Sequence, residues 1–431
     1  MSNYLLATRS HTDIVHSAIS YSGLESYILT TPFLLRLQRI SQNSLVYLTF
    51  ASNKVKRFEH SLGVMHLAGT FFKSAISNTK VDVIKSMFSK FELELTYWIN
   101  DKETIKEKSS IYGKILFDHE EYNNEIINKE APFVGLYNTN TPPHILKKWS
   151  MLYVALYQGI RIAGLLHDVG QLPYSHTLEN VIGILKNIWE KTTTKNPLQI
   201  KYLDVINSYM GKYGSDKLHE AITIKLFPII EIECLKLITE ELLLIPKKEM
   251  SSKEKNDYLL FCLYSFEIAR RILGTENNKK SLIHKVLHCI ISGTLDVDRL
   301  DYTSRDLLCS AVDKDIINYG RLFSFLSFDI TNSTDDNDRS NNLYHIIIKP
   351  KTVNDVEEFL KKRWKSYRDI NYHHSAHRSE LLMRSILINS AIKTLKLSES
   401  NKHVQINVRF LTNWKNVVSD LIHLQNLHRI N

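Results

Sequence analysis

Residues 161–179, RIAGLLHDVGQLPYSHTLE, carry two adjacent metal-type ligands, His167 and Asp168, to the end of an apolar run of Ile162, Leu165 and Leu166. Gly170 and Pro173 then break the helix and turn the chain. His176 and Glu179 follow at i,i+3 spacing, on one face of any helix that starts there. Imidazole and carboxylate inside a hydrophobic run are the chemistry of a buried divalent-metal site. The other ligands of such a site must come from elsewhere in the chain.

Two stretches offer them. In RFEHSLGVMHLAG (57–69), His60 opens an apolar-periodic helix and Arg57 lies one turn before it. In GTLDVDRLDYTSRD (293–306), Asp296, Asp298, Asp301 and Asp306 interleave with Val297, Leu300 and Tyr302. Four carboxylates on so short a segment repel one another unless cations sit among them, and a metal with Arg299 and Arg305 would supply these. Singly the signals are weak, because a lone histidine at a helix start is more often a core or capping residue. Their weight comes from the order H…HD…D, each member inside a hydrophobic helix with basic company.

The elements that must position these residues are helices. The chain has 431 residues, 43% hydrophobic and 23% charged, enough for one large core or two smaller ones. Glycine (14) and proline (9) are scarce, and apolar residues recur at three and four positions through 149–167, 255–273 and 356–396. The expectation is a mainly α protein. Leu45–Leu48 and Ile346–Ile348 read as minor strands. Residues 76–147, polar and charge-mixed with Pro142-Pro143, read as an inserted lobe. Residues 331–342, TNSTDDNDRSNN, have turn and disorder chemistry. They divide a core at 1–330 from a C-terminal helical region at 331–431.

No apolar run approaches the roughly 20 residues that span a bilayer, and the start, MSNYLLATRSHTD, does not read as a secretory signal. Cys234, Cys262, Cys289 and Cys309 form no C-x-x-C pair. That spacing argues for reduced thiols in a cytoplasmic protein and against a thiolate zinc site, and the lack of a spanning run argues for no membrane partner. The net charge of +9 points to an anionic partner such as nucleotide phosphates or nucleic acid, although a lysine-rich solvated exterior explains it equally well.

The order His60, His167-Asp168, Asp298 resembles the HD superfamily of metal-dependent phosphohydrolases. Within it, the chain is most similar to the deoxynucleoside triphosphate (dNTP) triphosphohydrolases, the dGTPase-like and SAM-and-HD-domain enzymes. RFEHSLGVMHLAG, AGLLHDVGQLPYSH, DVDRLDYTSRD and the N-terminal DIVHS…TTPFLLRLQRISQN (13–43) each resemble that branch's motifs. The likeness runs from about residue 12 to residue 375. It implies an HD-domain helical bundle, with one divalent ion (Mn, Fe or Mg) held by His60, His167, Asp168 and Asp298. It also implies cleavage of a dNTP to deoxynucleoside and inorganic triphosphate, by a homo-oligomer (dimer or tetramer) whose C-terminal region completes the nucleotide site.

By the same resemblance, Arg57, Arg299 and Arg363 gather around the leaving triphosphate, Arg363 opening the family-like segment RWKSYRDINYHH. His176 and His219 are the acid–base candidates. Glu179 orients His176, and KLHEAIT marks His219. Gln42, Tyr302 and Asp306 form the sugar pocket: the Tyr302 ring against the 2′ carbon excludes ribonucleotides, and Asp306 accepts from the 3′-hydroxyl.

Several positions depart from the family pattern. Gln171 stands where a second histidine often follows the HD pair, which alters the expected α-phosphate contact. Asn371 replaces a base-proximal tyrosine, His373 matches a family histidine, and His374 replaces a lysine. Thr30, Leu35 and Gln38 replace residues that read a regulatory guanine nucleotide, so activation of that type is expected to be altered or absent. His60 and His167 lie 167 − 60 = 107 residues apart, and the 76–147 insertion accounts for that length. Two other readings remain: an HD-type nuclease or phosphodiesterase on nucleic acid or a modified nucleotide, and a nucleotide-binding sensor or scaffold with little turnover.

Overall fold

A computed structural model describes residues 9–99, 142–213, 217–274, 281–331 and 343–397. The chain enters through an antiparallel hairpin, β1 (Arg9–Asp13) and β2 (Ser17–Tyr21), registered Asp13 to Ser17. Sequence reading assigned no strands here, because the polar, low-branched run gives no strand signal. Helix α1 (Gly23–Thr30) follows, started by Ser22, whose hydroxyl accepts from the Glu25 amide while the Glu25 carboxylate accepts from the Ser22 amide. Helices α2 (Arg57–Asn78) and α3 (Val81–Ile99) come next. Residues 100–141 of the expected insertion lie outside the described residues. Its described beginning, α3, buries Phe88 and Phe91 in the main core.

The long apolar runs then fold as α4 (Ser150–Leu166), α5 (His176–Lys191), α6 (Pro197–Tyr213), α7 (Leu218–Leu244) and α8 (Ser252–Leu273). They continue as α9 (Leu282–Ile291) and α10 (Val297–Cys309). Helices α2 and α8 both pack on α4, the most buried helix of the group. Side chains such as Phe71, Phe72 and Phe266 are at most 2% exposed there, and each contributes about 1.5–3 kcal/mol of hydrophobic stabilisation. A Cβ on Gly63 of α2 would fall 1.9 Å from the Asp301 Oδ1 atom of α10. Glycine at 63 is therefore what lets α2 and α10 approach so closely.

A second hairpin, β3 (Leu326–Thr331) with β4 (Leu343–Ile348), pairs Thr331 with Leu343. The polar segment expected to separate two regions therefore joins the arms of one hairpin; residues 332–342 lie outside the described residues. Ile346–Ile348 belongs to β4 as expected. Leu45–Leu48 does not form a strand: Val46–Leu48 is a 3-10 turn, an apolar run too short to pair. The stretch 356–396 is two helices, α11 (Val353–Ser366) and α12 (His374–Leu397), split by a π-turn at Tyr367–Asn371. The molecule is mainly α, with two small two-stranded sheets among the described residues. No described helix is long and apolar enough to cross a membrane.

Candidate active site

Three elements converge on the expected ligands. His60 sits in the first turn of α2, His167 caps the end of α4 with Asp168 in the turn beyond, and Asp298 lies in the first turn of α10. Asp296 starts α10 by accepting from the Arg299 amide at 2.8 Å. Ligand atoms of His60, His167 and Asp168 lie within 4.8 Å of one another. The Asp298 Oδ1 atom is 3.0 Å from His60 Nε2 and 3.7 Å from His167 Nε2.

The tautomers follow from the partners. His167 Nδ1 lies 2.7 Å from the Gly164 carbonyl, which can only accept, so Nδ1 carries the proton. His60 Nδ1 donates to Asp301 at 2.8 Å. In the neutral rings both Nε2 lone pairs then point into the cluster, and both atoms are buried without an aligned hydrogen-bond partner. Two orphaned imidazole nitrogens beside two carboxylates, with no sulfur, suit a divalent first-row ion. In the ion-free arrangement burial opposes charge on His60, but Asp298 and Asp301 outweigh it and raise its pKa to about 9. An incoming ion therefore competes with a proton.

Behind His60 lies a buried charge network. Asp301 accepts from His16 Nε2 (2.7 Å), His60 and both Arg305 Nε and Nη2 (2.8 and 2.9 Å), while Arg305 also donates to Asp13 at 2.7 Å. Burial alone would raise the Asp301 pKa; Arg305, His16 and His60 hold it well below the carboxylate range. Sequence reading counted Asp301 among the acids without giving it a role. Its partner His16, and Asp13 on the same Arg305, lie in the DIVHS motif, 285 and 292 positions from Asp301 and Arg305; the resemblance of that motif does not say which residues it meets.

The turn after Asp168 is braced from several sides. Arg36 donates to the carbonyls of Val169 and Gln171 at 2.6 and 2.7 Å. A Cβ on Gly170 would fall 2.2 Å from the His219 carbonyl, so glycine lets the turn press against α7. Tyr174 and Ser175 both take positive φ, 62° and 50°, a conformation that costs side-chain-bearing residues energy. The Ser175 hydroxyl donates to the Ser41 carbonyl (2.8 Å) and accepts from Arg57 Nε (3.3 Å). Arg57 also pairs with Asp168.

His219, at the start of α7, is sandwiched between two carboxylates. Its Nδ1 is 2.9 Å from both Glu179 oxygens, and its Nε2 is 3.9 Å from Asp168 Oδ1. Burial works against charge on His219, but Glu179 and Asp168 outweigh it and raise its pKa. Glu179 reaches His176 less closely, at 3.3 Å, and the His176 side chain is 61% exposed. The carboxylate expected to orient His176 is thus engaged chiefly with His219.

A cavity of about 460 Å³ opens beside the cluster; Asp298 is the one candidate ligand in its lining, and His219 and Glu179 are not part of it. Of the expected substrate residues, Gln42, Arg57, Tyr302, Asp306 and Asn371 line it, as do His176 and Asp298. Four others are not among its lining side chains. Gln171 is buried under the turn, Arg299 binds the Gly293 carbonyl at 2.6 Å, and His373 packs edge-on against Phe50. Arg363 stands behind the wall, donating to the Tyr302 hydroxyl at 3.1 Å and lying over the Tyr367 ring. Asp306 is buried and accepts from Asn43 at 2.6 Å; burial pushes its pKa up to about 7. Sequence reading missed Ser44, Thr177, Asn180, Tyr367, Tyr372, His377, Glu380 and Arg384, which also line it. The signal that could have found the last three is the i,i+3 and i,i+4 polar spacing from His377 to Arg384 on α12.

No protein-family model matches the chain, and no curated protein matches it. Among solved structures it is similar to a phosphohydrolase from Bacteroides thetaiotaomicron, with 19% identity and a TM-score of 0.49. That alignment covers 94% of this chain and 64% of the other. It is also similar to a hypothetical protein from Aquifex aeolicus, with 18% identity and a TM-score of 0.47, covering 88% and 64%. The chain thus spans a little under two thirds of each.

Proposed function

We propose that this protein is a metal-dependent phosphohydrolase whose substrates are deoxynucleoside triphosphates, cleaved to deoxynucleoside and inorganic triphosphate. The observation that carries the reading is the buried Nε2 atoms of His60 and His167, without aligned hydrogen bonds, converging on the carboxylates of Asp168 and Asp298. These four residues would hold the ion. A divalent ion there supplies Lewis-acid polarisation of a phosphoryl group and lowers the pKa of water.

The chain's own residues do the rest. Arg57 brings positive charge to the cavity beside Asp168. His219, whose pKa Glu179 and Asp168 raise against the effect of burial, is the acid candidate beside Asp168, and exposed His176 is the second acid–base candidate, on the cavity wall. Tyr302, held from behind by Arg363, and Asp306 form the wall read as the sugar subsite. The likeness of RFEHSLGVMHLAG, AGLLHDVGQLPYSH and DVDRLDYTSRD to the dNTP triphosphohydrolase motifs supports the substrate class.

The test is incubation of the full chain with each dNTP and Mn²⁺, following tripolyphosphate by phosphorus NMR. Release is expected with metal, and chelator or Asp168→Ala should lower it at least a hundredfold. Equal rates for wild type and Asp168→Ala would sink the reading. Cleavage of polynucleotide in place of dNTP would favour the nuclease alternative.

A further inference from the structure

The imidazole of His60 is clamped between two carboxylates of one helix. Asp298 and Asp301 lie one turn apart on α10, with Asp298 Oδ1 3.0 Å from His60 Nε2 and Asp301 Oδ2 2.8 Å from His60 Nδ1. Asp301 is itself held. Its Oδ2 also accepts from Arg305 Nε at 2.8 Å, and its Oδ1 accepts from Arg305 Nη2 at 2.9 Å and from His16 Nε2 at 2.7 Å. Two donors on each oxygen fix the orientation of the carboxylate. One of these donors comes from the N-terminal hairpin, whose strands are mostly exposed. The hairpin turn folds around Asp13, which accepts from the Val15 and His16 amides at 2.9 Å each and from Arg305. That turn sets the His16 side chain, 2% exposed, against Asp301.

We infer that Asp301 and His16 are positioning residues for the metal ion, and that ion binding and docking of the N-terminal hairpin are coupled through His16, Asp301 and His60. The inference rests on the metal-site part of the reading above and not on the substrate. An imidazole ligates well when its second nitrogen donates to a carboxylate. That bond fixes the tautomer and the ring plane and raises the basicity of the nitrogen facing the ion. Here the carboxylate is oriented in part by His16, so displacing the hairpin frees Asp301 Oδ1 and loosens the ring. An ion that binds the docked state more tightly favours docking in return, by the same factor. A two-stranded hairpin alone is marginal in water, so the bound ion is expected to steady this one.

The experiment measures Mn²⁺ affinity by electron paramagnetic resonance for the full-length wild type, His16→Phe and His16→Gln. Phenylalanine keeps a ring beside His66 and Tyr319, whose centroids lie 5.2 and 5.4 Å from that of His16. Glutamine keeps an N–H donor for Asp301. His16→Phe is expected to weaken Mn²⁺ binding by about fivefold or more, and His16→Gln to recover most of that loss. A role in ring packing alone gives the opposite order. Hydrogen exchange on the wild type, which needs no variant, compares residues 9–21 with the β3–β4 hairpin. That control hairpin is tied to Asn78 and Thr79, about 27 Å along α2 from His60. Mn²⁺ should slow exchange in 9–21 by about fivefold or more beyond any slowing in β3–β4. Equal slowing in the two hairpins, or His16→Phe binding Mn²⁺ as tightly as His16→Gln, overturns the coupling and leaves the metal site standing. Absence of Mn²⁺ binding by the wild type overturns both.

Discussion

Asp306 shows what burial does to a single group in this cavity. Its carboxyl is 1% exposed, accepts a hydrogen bond from Asn43, and carries a pKa pushed up by burial to about 7 against 3.8 for the free side chain. A folded-state pKa above the unfolded one means that the native protein binds a proton the unfolded chain has released. Stability therefore falls as pH rises from about 4 through 7, and the loss is complete above that range. Asp306→Asn keeps an acceptor for Asn43 and removes the charge. Denaturant unfolding should find the variant gaining on wild type by about 2–4 kcal/mol between pH 4 and pH 8. A stability difference that does not vary with pH would contradict this account. At the same scale the sequence was generous with ligands and silent on their orientation. His60, His167, Asp168 and Asp298 were legible because each sits in a motif of distinctive residue types. The preference of Glu179 for His219 over His176 was not, since it depends on how α5 meets α7.

Among the elements, the contact between α2 and α10 is the one the site depends on most. Gly63 leaves room for the Asp301 carboxylate, whose oxygens are locked by Arg305, His16 and His60 and cannot swing away. Gly63→Ala should cost about 3 kcal/mol by urea unfolding and weaken metal binding at least tenfold, because α10 carries Asp298. The control is Gly183→Ala in α5, where an added Cβ meets nothing within 4 Å and helix propensity predicts a gain of about 0.5–1 kcal/mol. Equal effects of the two substitutions would refute the packing argument. Helix existence was readable from apolar spacing at 150–166 and 252–273. The division of 356–396 at Tyr367–Asn371 was not, because no glycine or proline marks it in the sequence. Leu45–Leu48 was misread because strand-like residues without a pairing partner settle into a turn.

For the whole molecule, the candidate ligands tie together segments far apart in the chain: His60 is 167 − 60 = 107 residues from His167, and Asp298 is 298 − 168 = 130 residues beyond Asp168. An ion bound only by the folded state stabilises the entire chain, by about 2.7 kcal/mol at a hundred times its Kd. Chelation should lower the Tm by several degrees, Mn²⁺ should restore it, and Asp168→Ala should respond to neither. A Tm indifferent to metal would remove the site from the stability of the fold. The hydrophobic pattern announced a helical core at this scale, but not which distant segments close on one another.

The N-terminal hairpin gives the site a schedule. His16 meets Asp301 across 285 residues, and Asp13 meets Arg305 across 292. During synthesis at roughly 5–20 residues per second, the hairpin waits about 15–60 s for partners that do not yet exist. Until then Asp13 of β1 and the helices already made cannot be knitted into the rear wall. The candidate site is thus completed late, and a nascent chain ending before Asp298 carries His60, His167 and Asp168 without the carboxylates of Asp298 and Asp301 behind and beside them.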